Sequence, residues 1–402
     1  MKASVVHRHL VEAIVLTLIE IFREDQHADK TIEKVLKGHR KWGSRDRRFF
    51  AEQVYDCVRW WRRYWYILGE TPTYDPKKVL LLWGVHQLSQ AQALPDWPEF
   101  QALRLAENRL QSLQTQRAVR ESIPDWLDEK GLIETGVRWE AILASLNRPA
   151  TVDLRVNLLK ANIPQVQLEL QNEGIEAQPI HTCESGLSLV QRKNVFITKS
   201  FGAGHFEVQD RASQLVAPFL QVEPGMRVID ACAGAGGKSL HIAALMKNKG
   251  KLISMDIHEW KLKELRNRAT RNSVDIIETK LIDSSKVIKR LETSADRVLL
   301  DVPCSGLGVL RRHPGTKWKL RSQEFPKILE LQAQLLRDYA GMTKVGGMLV
   351  YATCSFLPSE NEKQIEKFLT GNSAWQLQES LRVDPDQGRG DGFFASRLVR
   401  KA

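Results

Sequence analysis

The feature that most constrains the fold is an alternation of apolar strands and helical segments that begins at Met226. Helical periodicity over 239–246 and 261–271 separates short apolar runs that predict buried strands. Such alternation is typical of a mostly parallel α/β sheet. The predicted strands are Met226–Asp230, Leu252–Asp256, Thr279–Ile282, Arg297–Val302 and Met348–Ala352, and a closing antiparallel hairpin is predicted at Trp375–Val383 and Gly392–Val399.

Two of these strands lead directly into loops that each present a cysteine. Cys304 lies in the segment DVPCSGLG over 301–308, and Cys354 lies in YATCS over 351–355. Ligands gather beyond the carboxyl ends of parallel strands, so both thiols are expected at one edge of the sheet. Burial in the core is the common role of a free cysteine. These two cysteines instead lie where the backbone turns toward a ligand. Because a thiolate is a nucleophile, they are candidates for a role in catalysis.

A Gly-rich loop joins the first predicted strand to the next helix, and it predicts a cofactor site. It consists of Cys232, Ala233, Gly234, Ala235, Gly236, Gly237 and Lys238. Dinucleotide and adenosylmethionine binders share such loops, because glycines allow close approach to the backbone. Asp256, which ends the second strand, is a candidate for a ribose diol, and Asp283 after the third strand for an adenine amino group. Helix capping is the alternative role for either acid.

Residues 1–145 predict an all-helical domain. Apolar side chains recur there at helical spacing, and tryptophans such as Trp65 and Trp83 predict core anchors, with base stacking as the alternative. A basic block between Lys37 and Arg63 predicts either a solvated face or a face that contacts phosphate. Residues 146–215 predict a small α+β unit, with strand signals at 151–157, 176–179, 187–190 and 195–197 and a helix over 163–174.

A second basic block follows the Cys304 loop. It contains Arg311, Arg312, His313, Lys317, Lys319 and Arg321, and no acid occurs within it before Glu324. Such a block beside a catalytic loop predicts phosphate contacts with a nucleic acid strand. A solvated loop is the alternative.

The composition limits the class of protein. The formal net charge of +11 favours a polyanionic partner. The five cysteines lack metal-ligand spacing, so we expect reduced thiols and no metal site. No apolar run reaches the about 20 residues that span a bilayer, and no cleavable signal is evident. We therefore expect a soluble, cytoplasmic monomer.

The two cysteine segments resemble those of the RsmB/NSUN (Fmu-like) family of RNA cytosine-C5 methyltransferases, which carries Pro-Cys in one loop and Thr-Cys in the next. This resemblance implies that Cys354 is the nucleophile, that Cys304 assists release, and that the cofactor is S-adenosylmethionine. Asp301, three residues before Cys304, is expected to stabilise charge at N3 of the base. The family loop is usually CAAPGGK, whereas this chain has CAGAGGK, so the missing proline predicts a looser loop.

The resemblance extends over most of the chain. The segment 45–52 resembles a NusB-like helical domain, Leu154–Asn157 resembles the RNA-binding subdomain of the family, and Arg311–Pro314 resembles a loop near the target nucleotide. The implied order is a helical NusB-like RNA-binding domain (1–145), a small α+β RNA-binding subdomain and bridge (146–215), and a Rossmann-like methyltransferase domain (216–402).

The expected function is methylation of cytosine C5 in structured RNA. Small-subunit ribosomal RNA is the preferred substrate because the domain order resembles bacterial RsmB, and transfer RNA is the alternative. A non-catalytic RNA-binding ribosome-assembly factor and a DNA cytosine methyltransferase are the other classes. The intact Cys304, Cys354 and Asp301 argue against the first of these, and the second motif cysteine argues against the other.

Overall fold

The computed structural model describes residues 6–101, 103, 107–388 and 390–401. It divides the chain into two compact units. The first unit extends to Arg148 and also contains Leu310–Ser322, and the second contains Pro149–Val309 and the chain from Gln323 onward. The polypeptide therefore leaves the second unit directly after the Cys304 loop and later returns to it.

The first unit is helical in its described residues, as predicted. Its α-helices are α1 (Arg8–Arg23), α2 (Ala28–Gly38), α3 (Ser44–Arg59), α4 (Trp61–Leu68), α5 (Pro76–Ser89), α6 (Glu107–Ser112), α7 (Arg117–Arg120), α8 (Asp125–Thr135) and α9 (Trp139–Leu146), with 3-10 turns at Pro98–Phe100 and Gly136–Arg138. Trp65 and Trp83 are fully buried in its core, which confirms their expected role as core anchors. Asp75 begins α5 because its carboxylate accepts the backbone N–H groups of Lys77 and Lys78.

The segment Leu310–Ser322 packs on the end of α3. The indole Nε1 of Trp318 donates to the carbonyl of Val58 at 2.7 Å, and Nζ of Lys317 donates to the carbonyl of Arg59 at 2.9 Å. In return, Nη2 of Arg59 donates to the carbonyl of Arg311 at 2.9 Å. These reciprocal bonds make the segment part of the helical unit.

The second unit begins with a four-stranded antiparallel sheet of order β2-β3-β1-β4. Its elements are β1 (Asp153–Val156), α10 (Ile163–Asn172), β2 (Ala177–Pro179), β3 (Gly186–Leu189), α11 (Lys199–Gly202) and β4 (Phe206–Val208), followed by α12 (Arg211–Gln214) and α13 (Val216–Phe219). The strand predicted at 195–197 is wrong. Thr198 caps α11 there, and the fourth strand is β4 instead.

A seven-stranded sheet of order β10-β11-β9-β8-β5-β6-β7 forms the rest of the second unit. The five strands from β7 to β9 in this order are parallel, and β11 runs antiparallel to both of its neighbours, which confirms the predicted α/β sheet with its closing hairpin. Its strands are β5 (Arg227–Asp230), β6 (Lys251–Asp256), β7 (Ile277–Leu281), β8 (Ala295–Asp301), β9 (Thr343–Thr353), β10 (Trp375–Val383) and β11 (Phe393–Arg400).

Helices between these strands cover the sheet. They are α14 (Gly237–Leu245), α15 (Glu259–Arg271), α16 (Ser285–Lys289), α18 (Phe325–Ala340) and α19 (Glu362–Thr370), with 3-10 turns at Leu307–Val309 and Pro385–Gln387, while α17 (Thr316–Lys319) lies in the first unit. Apolar side chains of β5, β6, β8 and β9 are buried on both faces of the sheet, as expected for parallel strands covered on both sides. Within the described residues, no helix combines the length and the apolar character needed to cross a membrane.

Candidate active site

The two motif cysteines meet at the carboxyl edge of the sheet. Strands β8 and β9 are parallel neighbours with Asp301 opposite Ala352, so the loops after them begin side by side. The Sγ atoms of Cys304 and Cys354 are 3.2 Å apart. Both side chains are only partly buried, so the pair faces the surface of the second unit.

Close backbone packing holds these loops together, and Gly308 makes that packing possible. Its N–H donates to the carbonyl of Cys354 at 3.0 Å, and its carbonyl accepts the N–H of Gly392 at 2.9 Å. A Cβ atom at Gly308 would lie 2.1 Å from the carbonyl oxygen of Gly392 and 2.8 Å from that of Cys354. The final glycine of the DVPCSGLG motif is therefore required for the approach of three loops.

The surroundings of Cys304 act on the pKa of its thiol. The hydrogen bond with Cys354 raises the pKa of the Cys304 thiol well above its ordinary value, and burial raises it further. The negative charges of Cys354 and Glu360 act in the same direction. These surroundings favour the protonated form of Cys304, and the proton between the two sulfurs can lie on either of them.

A buried carboxylate, Glu360, connects the two cysteine loops. Its Oε1 accepts the N–H of Ser305 at 2.8 Å and Nε2 of Gln332 at 3.0 Å. Its Oε2 accepts the hydroxyl of Ser305 at 2.5 Å and the hydroxyl of Ser355. One side chain therefore holds the residues that directly follow Cys304 and Cys354.

An ion pair lies at the same edge. Nζ of Lys238 donates to Oδ2 of Asp301 at 2.5 Å and lies 5.2 Å from the ring centre of Phe393. Burial alone would lower the pKa of Lys238, but the carboxylate of Asp301 outweighs it, with a smaller contribution from Cys354, and the pKa is raised. The ammonium therefore stays charged beside the catalytic loops.

The Gly-rich loop adopts a conformation that few other residues permit. Gly236 has φ of +85°, and a Cβ atom there would lie 2.5 Å from Cγ of Leu265. Two arginines hold the carbonyls of the loop: Arg268 donates to Ala235 at 2.7 Å, and Arg155 donates to Gly237 at 2.6 Å. These bonds restrain a loop that lacks the expected proline.

A cavity of about 230 Å³ opens beside this loop and suits S-adenosylmethionine. Its lining includes Cys232, Ala233, Gly237 and the carboxyl groups of Asp230 and Asp301. Oδ1 of Asp230 is buried and has no hydrogen-bond partner in the described part of the chain, and burial raises the pKa of this carboxyl to about 7. A cationic ligand with donor groups would satisfy these acids, and S-adenosylmethionine carries both a sulfonium and an ammonium.

The other two candidate cofactor acids occupy different positions. Oδ2 of Asp256 accepts the N–H of Gly234 at 3.0 Å, and its Oδ1 accepts the N–H of His258 at 2.9 Å. Asp256 is thus fixed against the Gly-rich loop. Asp283 is exposed, and its Oδ1 accepts the hydroxyl of Ser284 at 3.0 Å. Neither acid lines the cavity itself, but Asp256 contacts the Gly-rich loop that borders it, whereas Asp283 does not.

The basic block predicted to bind RNA belongs to the helical unit, where its members differ in exposure. His313 and Arg321 are exposed, and Arg311 and Arg312 are half-buried. Lys319 pairs with Asp25. Lys317 is 3% exposed, and burial, followed by the charge of Arg59, lowers its pKa well below the ordinary value.

Three polar residues of this region were not among the predicted site residues. Asp230 ends the first strand of the sheet, and its position alone could have made it a candidate beside Asp256. Arg155 and Glu360 carry no comparable signal, because their roles depend on contacts with residues far along the chain: Arg155 with Gly237 and Glu360 with Ser305. Only the folded structure reveals them.

Comparisons with known proteins agree with this architecture. A sequence model described as 16S rRNA methyltransferase RsmB/F matches residues 217–399, and one for the ferredoxin-like domain of RsmF/B-like methyltransferases matches residues 123–196. The probable ribosomal RNA small subunit methyltransferase B of Synechocystis sp. is 31% identical, covering 96% of this chain and 98% of its own. The Bacillus subtilis protein of the same description is 35% identical over 76% of this chain and 70% of its own. The crystal structure of PH0851 has a TM-score of 0.84 and 26% identity, covering 99% of this chain and 100% of its own.

Proposed function

Because this chain belongs to the RsmB/F family of 16S rRNA methyltransferases, we propose that it methylates C5 of a cytosine in small-subunit ribosomal RNA through a covalent bond to Cys354. S-adenosylmethionine, the methyl donor of the family, supplies an electrophilic methyl group on its sulfonium. The observation that carries the proposal is the pair of sulfurs 3.2 Å apart at the strand edge that also bears Lys238 and Asp301.

In the first step, the thiolate of Cys354 adds to C6 of the cytosine. C5 of cytosine is otherwise a poor nucleophile, and addition at C6 converts it into an enamine-like carbon. The electron pair displaced from the C5–C6 bond attacks the methyl group, whose bonding electrons remain on the departing sulfur. Asp301, held by Lys238, accepts a hydrogen bond from the amino group of the base and so orients the edge that also carries N3.

In the second step, the base is released by elimination. The proton on C5 leaves, its bonding electrons re-form the C5–C6 double bond, and the C6–S electrons return to Cys354. Cys304 serves as the base. Once Cys354 is a neutral thioether, the hydrogen bond that contributes most to the raised pKa of Cys304 is lost. Cys304 can then give its own proton to solvent and accept the one from C5.

The remaining parts of the chain bind RNA in this proposal. The helical domain (1–145) and the small α+β subdomain (146–215) contact the RNA, and residues 216–402 carry the chemistry. Arg312, His313 and Arg321 contribute phosphate contacts from the segment that follows the Cys304 loop. Lys317 is omitted from this set because its side chain is buried.

Substitution of each sulfur in turn tests the mechanism. We expect Cys354→Ala to abolish methyl transfer while S-adenosylmethionine still binds, because the nucleophile is gone. We expect Cys304→Ala to accumulate a protein–RNA adduct that survives denaturing electrophoresis, because addition and transfer proceed but elimination does not. Cys183→Ala, which removes a cysteine of the small antiparallel subdomain, should behave like the wild type.

Two outcomes would contradict the proposal. Full methylation by Cys354→Ala would remove this residue as the nucleophile, and Cys304→Ala that methylates normally without an adduct would remove Cys304 from the release step. Bisulfite sequencing of RNA from cells with and without the chain identifies the substrate. Loss of a methylated cytosine from transfer RNA, with small-subunit RNA unchanged, would reassign it.

A further inference from the structure

We infer that Glu360 is a positioning residue that locks the two cysteine loops together and keeps Cys304, rather than Cys354, as the protonated sulfur of the pair. This inference rests on the function proposed above, because it concerns the ordering of the two thiols that the reaction uses. The side chain of Glu360 is 0% exposed, so its carboxylate acts entirely inside the protein.

The hydrogen bonds of Glu360 match the acceptor pattern of a carboxylate. A backbone N–H and an amide Nε2–H can only donate, and both donate to Oε1, from Ser305 and Gln332. The hydroxyls of Ser305 and Ser355 both donate to Oε2. All four donors are uncharged groups, so none of them would neutralise a carboxylate at Glu360.

These bonds fix the distance between the two loops. Ser305 directly follows Cys304, and Ser355 directly follows Cys354, so both serine hydroxyls converge on one oxygen atom from opposite loops. Each sulfur is therefore within one residue of a common anchor. A small displacement of a reacting group costs a large factor in rate, so this anchor maintains the approach of the sulfurs.

Glu360 is itself held in place by the end of β9, the strand that leads into the Cys354 loop. The phenol of Tyr351 donates to the carbonyl of Glu360 at 2.7 Å. The hydroxyl of Thr353 donates to the neighbouring Asn361 at 2.6 Å, and Asn361 donates to the carbonyl of Ser355 at 3.0 Å. The carboxylate is thus positioned before any substrate binds.

The charges around the thiol pair are asymmetric. Glu360 acts on Cys304 and disfavours a second negative charge there. The ammonium of Lys238, whose partner is Asp301, interacts electrostatically with Cys354. The phenol of Tyr351 stays neutral, because burial raises its pKa well above the ordinary value. A carboxylate on one side and an ammonium on the other therefore distinguish the two sulfurs.

Thiol labelling tests this assignment without RNA or cofactor. Wild-type protein and Glu360→Gln are treated with iodoacetamide from about pH 7 to about pH 9, near the ordinary pKa of a thiol, and the modified cysteines are identified by mass spectrometry. We expect Cys354 to react first in the wild type. In Glu360→Gln, labelling of Cys304 should rise on the order of tenfold, since one pKa unit corresponds to that factor. Glu366→Gln, which removes an exposed acid from α19, should match the wild type.

Catalysis provides the second measurement. In Glu360→Gln, kcat should fall on the order of tenfold or more, with KM for S-adenosylmethionine unchanged, because the thiols and not the cofactor cavity are disturbed. If that variant fails to fold, Ser305→Ala and Ser355→Ala each remove one donor and keep the charge. We expect a reduced kcat in both, with Cys354 still the first sulfur labelled.

The outcomes separate this inference from the proposed function. Wild-type protein that neither methylates RNA nor forms an adduct would disprove the proposed function, while the labelling ratio would still report on Glu360. Active wild-type protein, with labelling and kcat unchanged in Glu360→Gln, or with kcat unchanged in both serine variants, would overturn the inference alone.

Discussion

At the scale of single residues, Asp230 shows how a buried polar group can mark a binding site. Its side chain is 1% exposed, and Oδ2 accepts the hydroxyl of Ser239 at 2.6 Å. Oδ1 is buried without a hydrogen-bond partner in the described part of the chain, and Asp230 is among the residues that line the cavity. Burying a carboxylate is unfavourable, and here burial outweighs the hydrogen bond from Ser239, so the pKa of Asp230 rises to about 7. The position is suited to a cationic ligand, at the expense of stability.

The raised pKa of Asp230 predicts that Asp230→Asn changes how the stability of the protein depends on pH. A carboxyl whose pKa is raised in the folded state contributes stability below its unfolded pKa of about 4, and that contribution is lost as the pH rises through about 7. The wild type should therefore lose on the order of 2–4 kcal/mol of unfolding free energy between about pH 4 and about pH 8 relative to Asp230→Asn. Urea unfolding without cofactor at both pH values measures the difference.

An exposed acid provides the control for this experiment. Glu264→Gln changes a carboxyl on the solvent face of α15 and should leave the pH dependence of the wild type unaltered. Parallel pH profiles for the wild type and Asp230→Asn would show that Asp230 is not strained in the free protein.

At the scale of secondary-structure elements, the Gly-rich loop depends on support from α15. Arg268 on this helix donates both to the carbonyl of Ala235 and to Oε2 of Glu207 on β4, at 2.7 and 2.9 Å. We expect Arg268→Gln to weaken S-adenosylmethionine binding about tenfold, equivalent to about 1.4 kcal/mol, because the loop loses a charge-assisted hydrogen bond. Isothermal titration calorimetry measures this change.

Arg266 offers the matched control on the same helix. It pairs with Glu259 and Thr279 and makes no bond to the Gly-rich loop. Arg266→Gln should therefore keep the affinity of the wild type. Equal weakening in both variants would indicate a general effect of positive charge rather than support of the loop.

The sequence predicts the elements that carry the site better than it predicts the contacts between them. Strands β8 and β9 are recognisable because buried parallel strands are continuous apolar runs, and their loops must then share one edge. The strand predicted at 195–197 failed because a short apolar run without partners looks the same in sequence as a capped turn. The contact between Glu360 and Ser305 spans 55 positions and depends on packing that no local pattern specifies.

At the scale of the whole molecule, the net charge of +11 predicts salt-dependent binding of RNA. We expect Arg312→Gln combined with Arg321→Gln to weaken binding regardless of RNA sequence. The slope of log K against log salt should become shallower by about one for each phosphate that the variant no longer neutralises. Filter binding across a salt series measures this slope.

A cation of the second unit controls for charge alone. Arg337 is exposed on α18 and pairs with Glu330, so Arg337→Gln should leave the slope unchanged. An unchanged slope in the double variant would move the phosphate contacts to another part of the chain, such as the basic block between Lys37 and Arg63.

Because Leu310–Ser322 packs in the helical unit, the chain cannot be shortened or recombined at one position alone. If the first 148 residues were deleted, Nζ of Lys317 would lose the carbonyl of Arg59, and the indole of Trp318 would lose that of Val58. The N-terminal 148 residues are therefore not a module that recombination can add or remove at a single junction. Any such exchange must also replace Leu310–Ser322, which lies within the sequence of the methyltransferase domain.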